Sequence, residues 1–196
     1  MTRADLARVV RLGIVLGALG VAGAASAQAL SVGRLQRALQ DAPHTEVRFT
    51  ELRESRWLAA PIESSGIMRS NATVLEKQVE QPRRETWRIL GDRMQMSVPG
   101  SDTVKEIPLD KAPAAAALAY TLRSVMAGNL EALDKDFELA LSGDERDWTL
   151  RLTPRDQDVA RQLKQVNLQG AGRRLSTIII LEAQGDRTTT RLHYPQ

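Results

Sequence analysis

The sequence predicts a mainly β protein of the α+β class, built on a strongly curved antiparallel sheet or half-barrel of about nine to eleven strands. Apolar and polar residues alternate with a period of two through most of the chain after residue 45, and glycine-containing turns separate these segments. One helical insertion interrupts them. Helices do not follow strands in regular succession, which argues against a parallel α/β sheet.

The first segment has the pattern of a secretory signal peptide. A basic start with three arginines precedes an uncharged apolar stretch over residues 12–23, and a small-x-small cleavage signal ends at Ala27. An uncleaved anchor is the alternative, but Ser26, Gln28 and Ser31 interrupt the apolar run before the ~20 residues that a spanning helix needs. We expect cleavage after Ala27, export as a soluble product and a single domain over residues 28–196.

The composition narrows the classes of function. The chain has 196 residues, of which 42% are hydrophobic and 26% charged, as in one globular domain. Because it has no cysteine, disulfides, thiolate metal sites, a cysteine nucleophile and a lipidated N-terminal cysteine are excluded. Its imidazoles are His44 and His193, so we expect neither a metal site nor histidine-dependent catalysis. Without residues 1–27 the net charge falls from +3 to +1, which gives no support for nucleic-acid binding.

The mature chain is predicted to begin with a short helix over Leu30–Leu39, which Asp41-Ala42-Pro43 ends. The period then switches to two, because Val47 and Phe49 share a face of a strand over Thr45–Arg53. Further strands are predicted around residues 67–68, 74–79, 85–90, 94–98 and 105–109.

The helical insertion is predicted over Asp110–Phe137. Asp110 is its candidate N-cap, Gly128 is a stop signal, and Asn129 can cap a second short helix. Because one face of the sheet needs a cover, the helices within residues 114–133 are predicted to supply it.

The strand period returns after the insertion. The run Ile178–Leu181 is apolar on both faces, which predicts a central, covered strand. Strands are predicted around residues 137–141, 148–152, 166–170, 175–182 and 188–194, with a helical turn over 156–163.

Motifs of common enzymes are missing, since the sequence has no GxSxG, HExxH, P-loop or GxGxxG pattern. We therefore expect no enzymatic activity, no catalytic residue and no cofactor. A paired-carboxylate hydrolase would need two acids that the fold brings together, and Glu51 and Asp92 are the best candidates. Glu51 and Arg53 share the face of Val47 and Phe49, either as an ion pair at the sheet end or as an orienting pair at the mouth of a cavity.

A series of segments across most of the mature chain has a recurring order and spacing. These are Phe49–Arg53, Leu58, Pro61–Met68, Leu75–Lys77, Gln81–Glu85, Gly91-Asp92, Leu130–Phe137, Trp148–Arg155 and Leu181–Arg187. Together with the signal peptide, they resemble the periplasmic outer-membrane lipoprotein carrier (LolA) family, in particular its divergent LolA-related branch.

The resemblance implies a half-open antiparallel β-barrel whose concave face and helical lid enclose an apolar cavity. Carriers of this family take acylated lipoproteins from an inner-membrane release complex and pass them to an outer-membrane receptor. That receptor is itself a lipoprotein, so the absence of cysteine makes this chain the soluble member, expected as a monomer. Divergent members resemble accessory proteins of aryl-polyene or fatty-acyl lipid pathways. The implied cargo is therefore an acylated lipoprotein or a fatty-acyl or polyene lipid.

One position departs from the family pattern. Typical carriers have an arginine after the strand that contains Gly66, and its contacts with the lid help to set open and closed states. Ala72 occupies that position here, between Asn71 and Thr73. The lid switch of these carriers therefore does not transfer to this chain.

Two sets of candidate site residues follow. The candidate polar gate consists of Glu51, Arg53 and Arg69. The methionines and tryptophans line a cavity or fill an ordinary core, since methionine adapts to either. The candidate lipid-contacting residues are Phe49, Trp57, Leu58, Met68, Leu75, Trp87, Ile89, Met94, Met96, Leu118, Leu122, Met126, Trp148 and Leu150.

The alternative function is a periplasmic lipid-sensing or regulatory binding module on the same fold, which binds lipid but does not transfer it.

Overall fold

The structure is a computed structural model that describes residues 30–41, 46–70, 74–101 and 103–194. The predicted signal peptide, His44 and the segment around Ala72 lie outside these residues. The helices are α1 (Val32–Gln40), α2 (Pro113–Met126) and α3 (Gln157–Ala160), with 3₁₀ helices at Leu109–Lys111 and Glu131–Lys135. The strands are β1 (Glu46–Glu54), β2 (Ile62–Ser70), β3 (Val74–Gln81), β4 (Glu85–Leu90), β5 (Arg93–Ser97), β6 (Val104–Pro108), β7 (Phe137–Gly143), β8 (Trp148–Pro154), β9 (Leu163–Ala171), β10 (Arg174–Glu182) and β11 (Arg187–His193).

The strands of the described residues form one antiparallel sheet of eleven, in the order β6-β5-β4-β3-β2-β1-β11-β10-β9-β8-β7. Two meanders, β1–β6 and β7–β11, meet where β1 pairs with β11. This pairing places the first and last strands at the centre of the sheet. The edges are β6 and β7, so the sheet is not closed into a barrel. The predicted mainly β, antiparallel half-barrel with helices is confirmed.

Two predicted helix starts are wrong. The N-cap of α2 is Ala112, because Asp110 lies in the 3₁₀ helix that precedes Pro113. The second short helix has Leu130 at its N-cap. The backbone N–H of Asn129 instead donates to the carbonyl of Ser124 at 2.7 Å and helps to close the end of α2.

The core lies between the helices and one face of the sheet, which we call the inner face and which carries Val47 and Phe49. Cross-strand register extends this face to Ile178 on β10, Leu168 on β9 and Leu150 on β8. All of these side chains are buried. The helices complete the same cluster with Leu35, Leu39, Val125, Leu130 and Leu133.

Strand β10 is covered on both faces at the centre of its length. Ile178 and Ile179 point to opposite faces and both are buried, which confirms the prediction of a central strand.

At Gly66 of β2 the neighbouring strand comes so close that a Cβ would lie 1.9 Å from the carbonyl oxygen of Gln78. Only glycine fits this approach of β2 and β3.

Candidate functional site

The inner face of β4 and β5 remains partly exposed. Register places Trp87 opposite Met96 and Ile89 opposite Met94, on the same face as the buried Leu75. The four side chains Trp87, Ile89, Met94 and Met96 are half-buried. Trp87 and Ile89 pack against the core, whereas Met94 and Met96 lie outside the core cluster. We call these four residues the open inner face, because they continue the apolar surface beyond the packed interior.

Helix α2 lies beside this surface. It contacts β3, and its side chains Leu118, Leu122 and Met126 are partly buried against the core. The hydroxyl of Tyr120 donates to the carbonyl of Ala132 at 3.4 Å, which ties α2 to the following 3₁₀ helix. The predicted lid residues are therefore placed next to the strand that leads into the open inner face.

Other members of the predicted lipid-contacting set are enclosed in the core. The largest of them, Trp148, donates its Nε1–H to the carbonyl of Gly172 at 3.2 Å. A Cβ at Gly170 would lie 2.3 Å from the Trp148 ring, so the indole rests directly on the backbone of β9. The enclosed residues are Phe49, Met68, Leu75, Trp148 and Leu150.

Trp57 and Leu58 lie away from the inner face, in the loop of residues 55–61 between β1 and β2. The Trp57 side chain is 74% exposed, and the guanidinium of Arg56 lies 4.7 Å from the centre of its ring. Leu58 is half-buried, and its backbone N–H donates to the carbonyl of Ser55 at 3.1 Å. The structure therefore separates these two residues from the rest of the predicted set.

Glu51 of the predicted gate is the centre of a polar cluster on the inner face. The ammonium of Lys77 donates to both carboxylate oxygens at 2.7 Å, and the Thr190 hydroxyl donates to one of them at 2.7 Å. Lys77 Nζ also lies 4.9 Å from the centre of the Phe49 ring. The side chains of Glu51 and Lys77 are 17% and 26% exposed, so their attraction is screened less than at an open surface. The cluster joins β1, β3 and β11.

The other two gate candidates lie apart from this cluster. Arg53 shares the inner face with Glu51 but is exposed towards the end of β1. Arg69 points to the outer face, where its Nε donates to Glu46 at 2.7 Å and its Nη1 donates to Glu76 at 3.3 Å. The structure does not bring Arg69 to Glu51.

Arg69 belongs to a row of cross-strand partners on the outer face, which we call the charge ladder. Arg88 extends the row, because its Nε donates to Glu76 at 2.7 Å. This hydrogen bond is the main reason that the pKa of Glu76 is lowered. The Glu46 carboxylate in turn raises the pKa of Arg69. The ladder runs from β1 to β6 through Glu46, Arg69, Glu76, Arg88, Gln95 and Glu106, each opposite the next.

A cavity of about 510 Å³ opens near the ends of β1 and β2. None of the predicted lipid-contacting residues lines it. Thr50, Leu52 and Arg191 of its wall lie on the outer face, and neither Lys77 nor Thr190 lines it, so the cavity is distinct from the polar cluster on the inner face. The polar lining residues are Glu51, Glu63, Ser64, Ser65, Gln81 and Arg191.

The described residues contain no group of three or more His, Cys, Asp or Glu side chains placed to hold a metal ion. Within the same part of the chain, no helix is long and apolar enough to cross a membrane. Asp92 is exposed in the turn between β4 and β5, whereas Glu51 is engaged by Lys77 and Thr190.

Solved structures similar to this chain include a LolA superfamily protein from Nitrosomonas europaea, which is 12% identical in sequence and has a TM-score of 0.46. The match covers 85% of this chain and 93% of that chain. The lipoprotein LppX of Mycobacterium tuberculosis has 9% identity, coverage of 82% and 91%, and a TM-score of 0.42. MucB in complex with MucA has 14% identity, coverage of 85% and 57%, and a TM-score of 0.40.

No curated protein sequence matches the chain. The family described as "Outer membrane lipoprotein carrier protein LolA-like" matches residues 24–194, which include every described strand and helix. The chain therefore belongs to the LolA-like outer membrane lipoprotein carrier family.

Proposed function

We propose that the protein is a soluble periplasmic carrier that shields the acyl chains of a lipoprotein, or of a fatty-acyl or polyene lipid, between the inner and outer membranes. The open inner face carries this proposal, because it leaves an apolar surface of Trp87, Ile89, Met94 and Met96 incompletely covered beside helix α2. Membership of the LolA-like family supports the same function.

The physical need for a carrier follows from the cost of exposing hydrocarbon to water. Each exposed methylene of an acyl chain costs about 0.8 kcal/mol, so a long chain does not cross an aqueous compartment unaided. A carrier must also release its cargo, which favours an adaptable surface over a rigid one. Met94 and Met96 suit this role because their unbranched side chains can adjust to chains of different shape.

The signal peptide supports the proposed location, and transfer between two membranes requires a partner at each membrane. The basic start and the small-x-small signal at Ala27 support export of the domain over residues 28–196. An inner-membrane release complex and an outer-membrane receptor are the proposed partners of a monomeric carrier. No cofactor or nucleic acid takes part in this function.

The test is binding of a triacylated lipopeptide by the purified domain, measured by isothermal titration in the absence of membranes. We expect Met94→Lys to weaken binding at least about tenfold, because an ammonium group would lie where acyl methylenes pack. Gln95→Lys is the matched control, since residue 95 is adjacent but points to the outer face beside Glu106. We expect the control to bind like the original protein.

Equal binding by the two variants would contradict the placement of cargo on the open inner face. Absence of lipopeptide binding by the unmodified domain would contradict a lipoprotein cargo, and absence of binding to a free fatty acid as well would contradict the carrier function itself. A transfer assay between inner- and outer-membrane vesicles completes the test. Binding without transfer would favour the alternative of a regulatory binding module.

A further inference from the structure

The loop of residues 55–61, which we call the Trp57 loop, exposes an apolar tip at one end of the sheet. Trp57 is 74% exposed, and Ile62, at the start of the following strand, is 45% exposed. The residues between them are small or apolar, and Ala59, Ala60 and Pro61 are exposed. These exposed apolar residues are contiguous in the chain and have no role in the core, and a contiguous exposed apolar patch is typical of a contact surface.

Arginines surround this tip. Arg56 stacks on the Trp57 ring at 4.7 Å, and Arg53 and Arg187 lie at the ends of the adjacent strands. The β3–β4 turn, at the same end of the sheet, adds the exposed Arg83 and Arg84. The acidic groups that face them, Glu54 and Glu85, each approach an arginine only to 3.9 Å. The exposed acid Glu63 lies beside Ile62.

We propose that the Trp57 loop docks the protein onto the surface of a membrane that contains anionic phospholipids. Tryptophan prefers the interface between water and hydrocarbon, where its ring is buried and its N–H remains hydrated. Arginines at the same depth bind lipid phosphates, and each adds to attachment near an anionic surface. The two features occur together at this end of the sheet, which is what an interfacial contact needs.

The charges at this end also set the orientation of docking. Asp136, Asp156 and Asp158 are exposed at the same end but lie near β7–β9, beyond β11 and β10 in strand order. Arg155 and Arg161 lie on that side too, but they pair with Asp134 and Asp158, so an anionic surface attracts that side less than the side of the Trp57 loop. A protein partner would also accept an exposed tryptophan beside arginines, since both residues are common at the centres of protein interfaces, and the vesicle experiment separates the two partners.

The experiment is flotation of the purified domain with vesicles of phosphatidylglycerol and phosphatidylethanolamine, and with vesicles of phosphatidylcholine as the neutral comparison. We expect binding to the anionic vesicles alone, and weaker binding as salt is added. Trp57→Ala lowers the partition coefficient about tenfold, and so does Arg83→Gln combined with Arg84→Gln. Brominated phosphatidylglycerol quenches the fluorescence of the original protein more than that of Trp57→Phe.

The matched control comes from a surface away from the loop. Arg146→Gln combined with Arg173→Gln removes two exposed arginines at the opposite end of the strands. This control keeps the original partition coefficient. If the unmodified domain does not bind anionic vesicles, or if Trp57→Ala binds them unchanged, the proposal is wrong. Lipopeptide binding without vesicles is measured separately, so failure of membrane docking is distinguished from failure of the carrier function.

Discussion

The two halves of the sheet are stabilised from opposite sides. In β7–β11 the inner face is closed by well-buried side chains such as Leu150, Leu168 and Ile178. In β3–β6 the inner face is partly exposed at Met94 and Met96, outside the core cluster. Burial of apolar area therefore stabilises the β7–β11 half, which we call the closed half, more than the half that contains β3–β6, which we call the open half.

In the open half, ion pairs on the outer face compensate for the smaller burial of apolar area. The charge ladder crosses every strand from β1 to β6, and its ion pairs join Arg69 to Glu46 and Glu76, and Arg88 to Glu76. Cross-strand pairs of opposite charge stabilise neighbouring strands without occupying the inner face. A sheet can therefore keep an apolar surface available when ion pairs on its other face hold the strands together.

The largest expected effect is in the closed half. Leu150→Ala removes a side chain with no solvent exposure and should lower the free energy of unfolding by about 2–5 kcal/mol, because it leaves a cavity in the core. Met94→Ala in the open half should lower it by less than about 1 kcal/mol, since the side chain already contacts solvent. Urea unfolding measures both, and similar losses for the two variants would contradict the division into halves.

A smaller effect is expected where the halves meet. Lys77→Ala should lower the free energy of unfolding by about 2–3 kcal/mol, because it leaves the partly buried Glu51 carboxylate without its cation. The double variant Glu51→Gln, Lys77→Met should recover most of this loss, since it removes both charges and keeps the Lys77 stem. Thermal unfolding of Lys77→Met, Glu51→Gln and the double variant measures the coupling between the two charges. A double variant as unstable as Lys77→Ala would show that the ion pair itself is not the cause.

The smallest effect concerns the charge ladder and pH. The pKa of Glu76 is lowered from its usual 4.5, so the ladder is fully stabilising above pH 4.5 and weakens as Glu76 is protonated at lower pH. The original protein should lose up to about 1 kcal/mol more stability on acidification than Glu76→Gln, because Arg88 is half exposed and solvent screens the pair. Parallel stability curves for the two proteins would mean that the ladder does not hold the open half.

Local patterns predicted much of this comparison. The alternation of Met94 and Met96, and of Trp148, Leu150 and Leu152, predicts from the sequence alone that each set shares one face of its strand. The prediction that grouped Arg69 with Glu51 in one gate depended on the register of β1 and β2, and that register places Arg69 on the opposite face. Periodicity within a strand therefore determines which side chains share a face.

Contacts between distant strands were not predictable in this way. Lys77 lies on the same face of β3 as Leu75, as alternation predicts. Its ion pair with Glu51, however, depends on the register of three strands. Trp57 lies just beyond the end of β1, where the alternating pattern no longer sets direction. Register depends on the pairing of whole faces and on turn geometry, which a single sequence does not reveal between remote segments.

The pairing of β1 with β11 has a consequence for how the molecule is assembled. Glu51 and Thr190 meet across a separation of 139 residues, so the central seam of the sheet forms only after nearly the whole chain is available. Closing so long a loop is slow, and until it closes both meanders present an unpaired edge that other chains can join. Loss of the last strand would therefore not shorten the sheet at its margin. It would divide the molecule into two sheets, each with a new edge at its former centre.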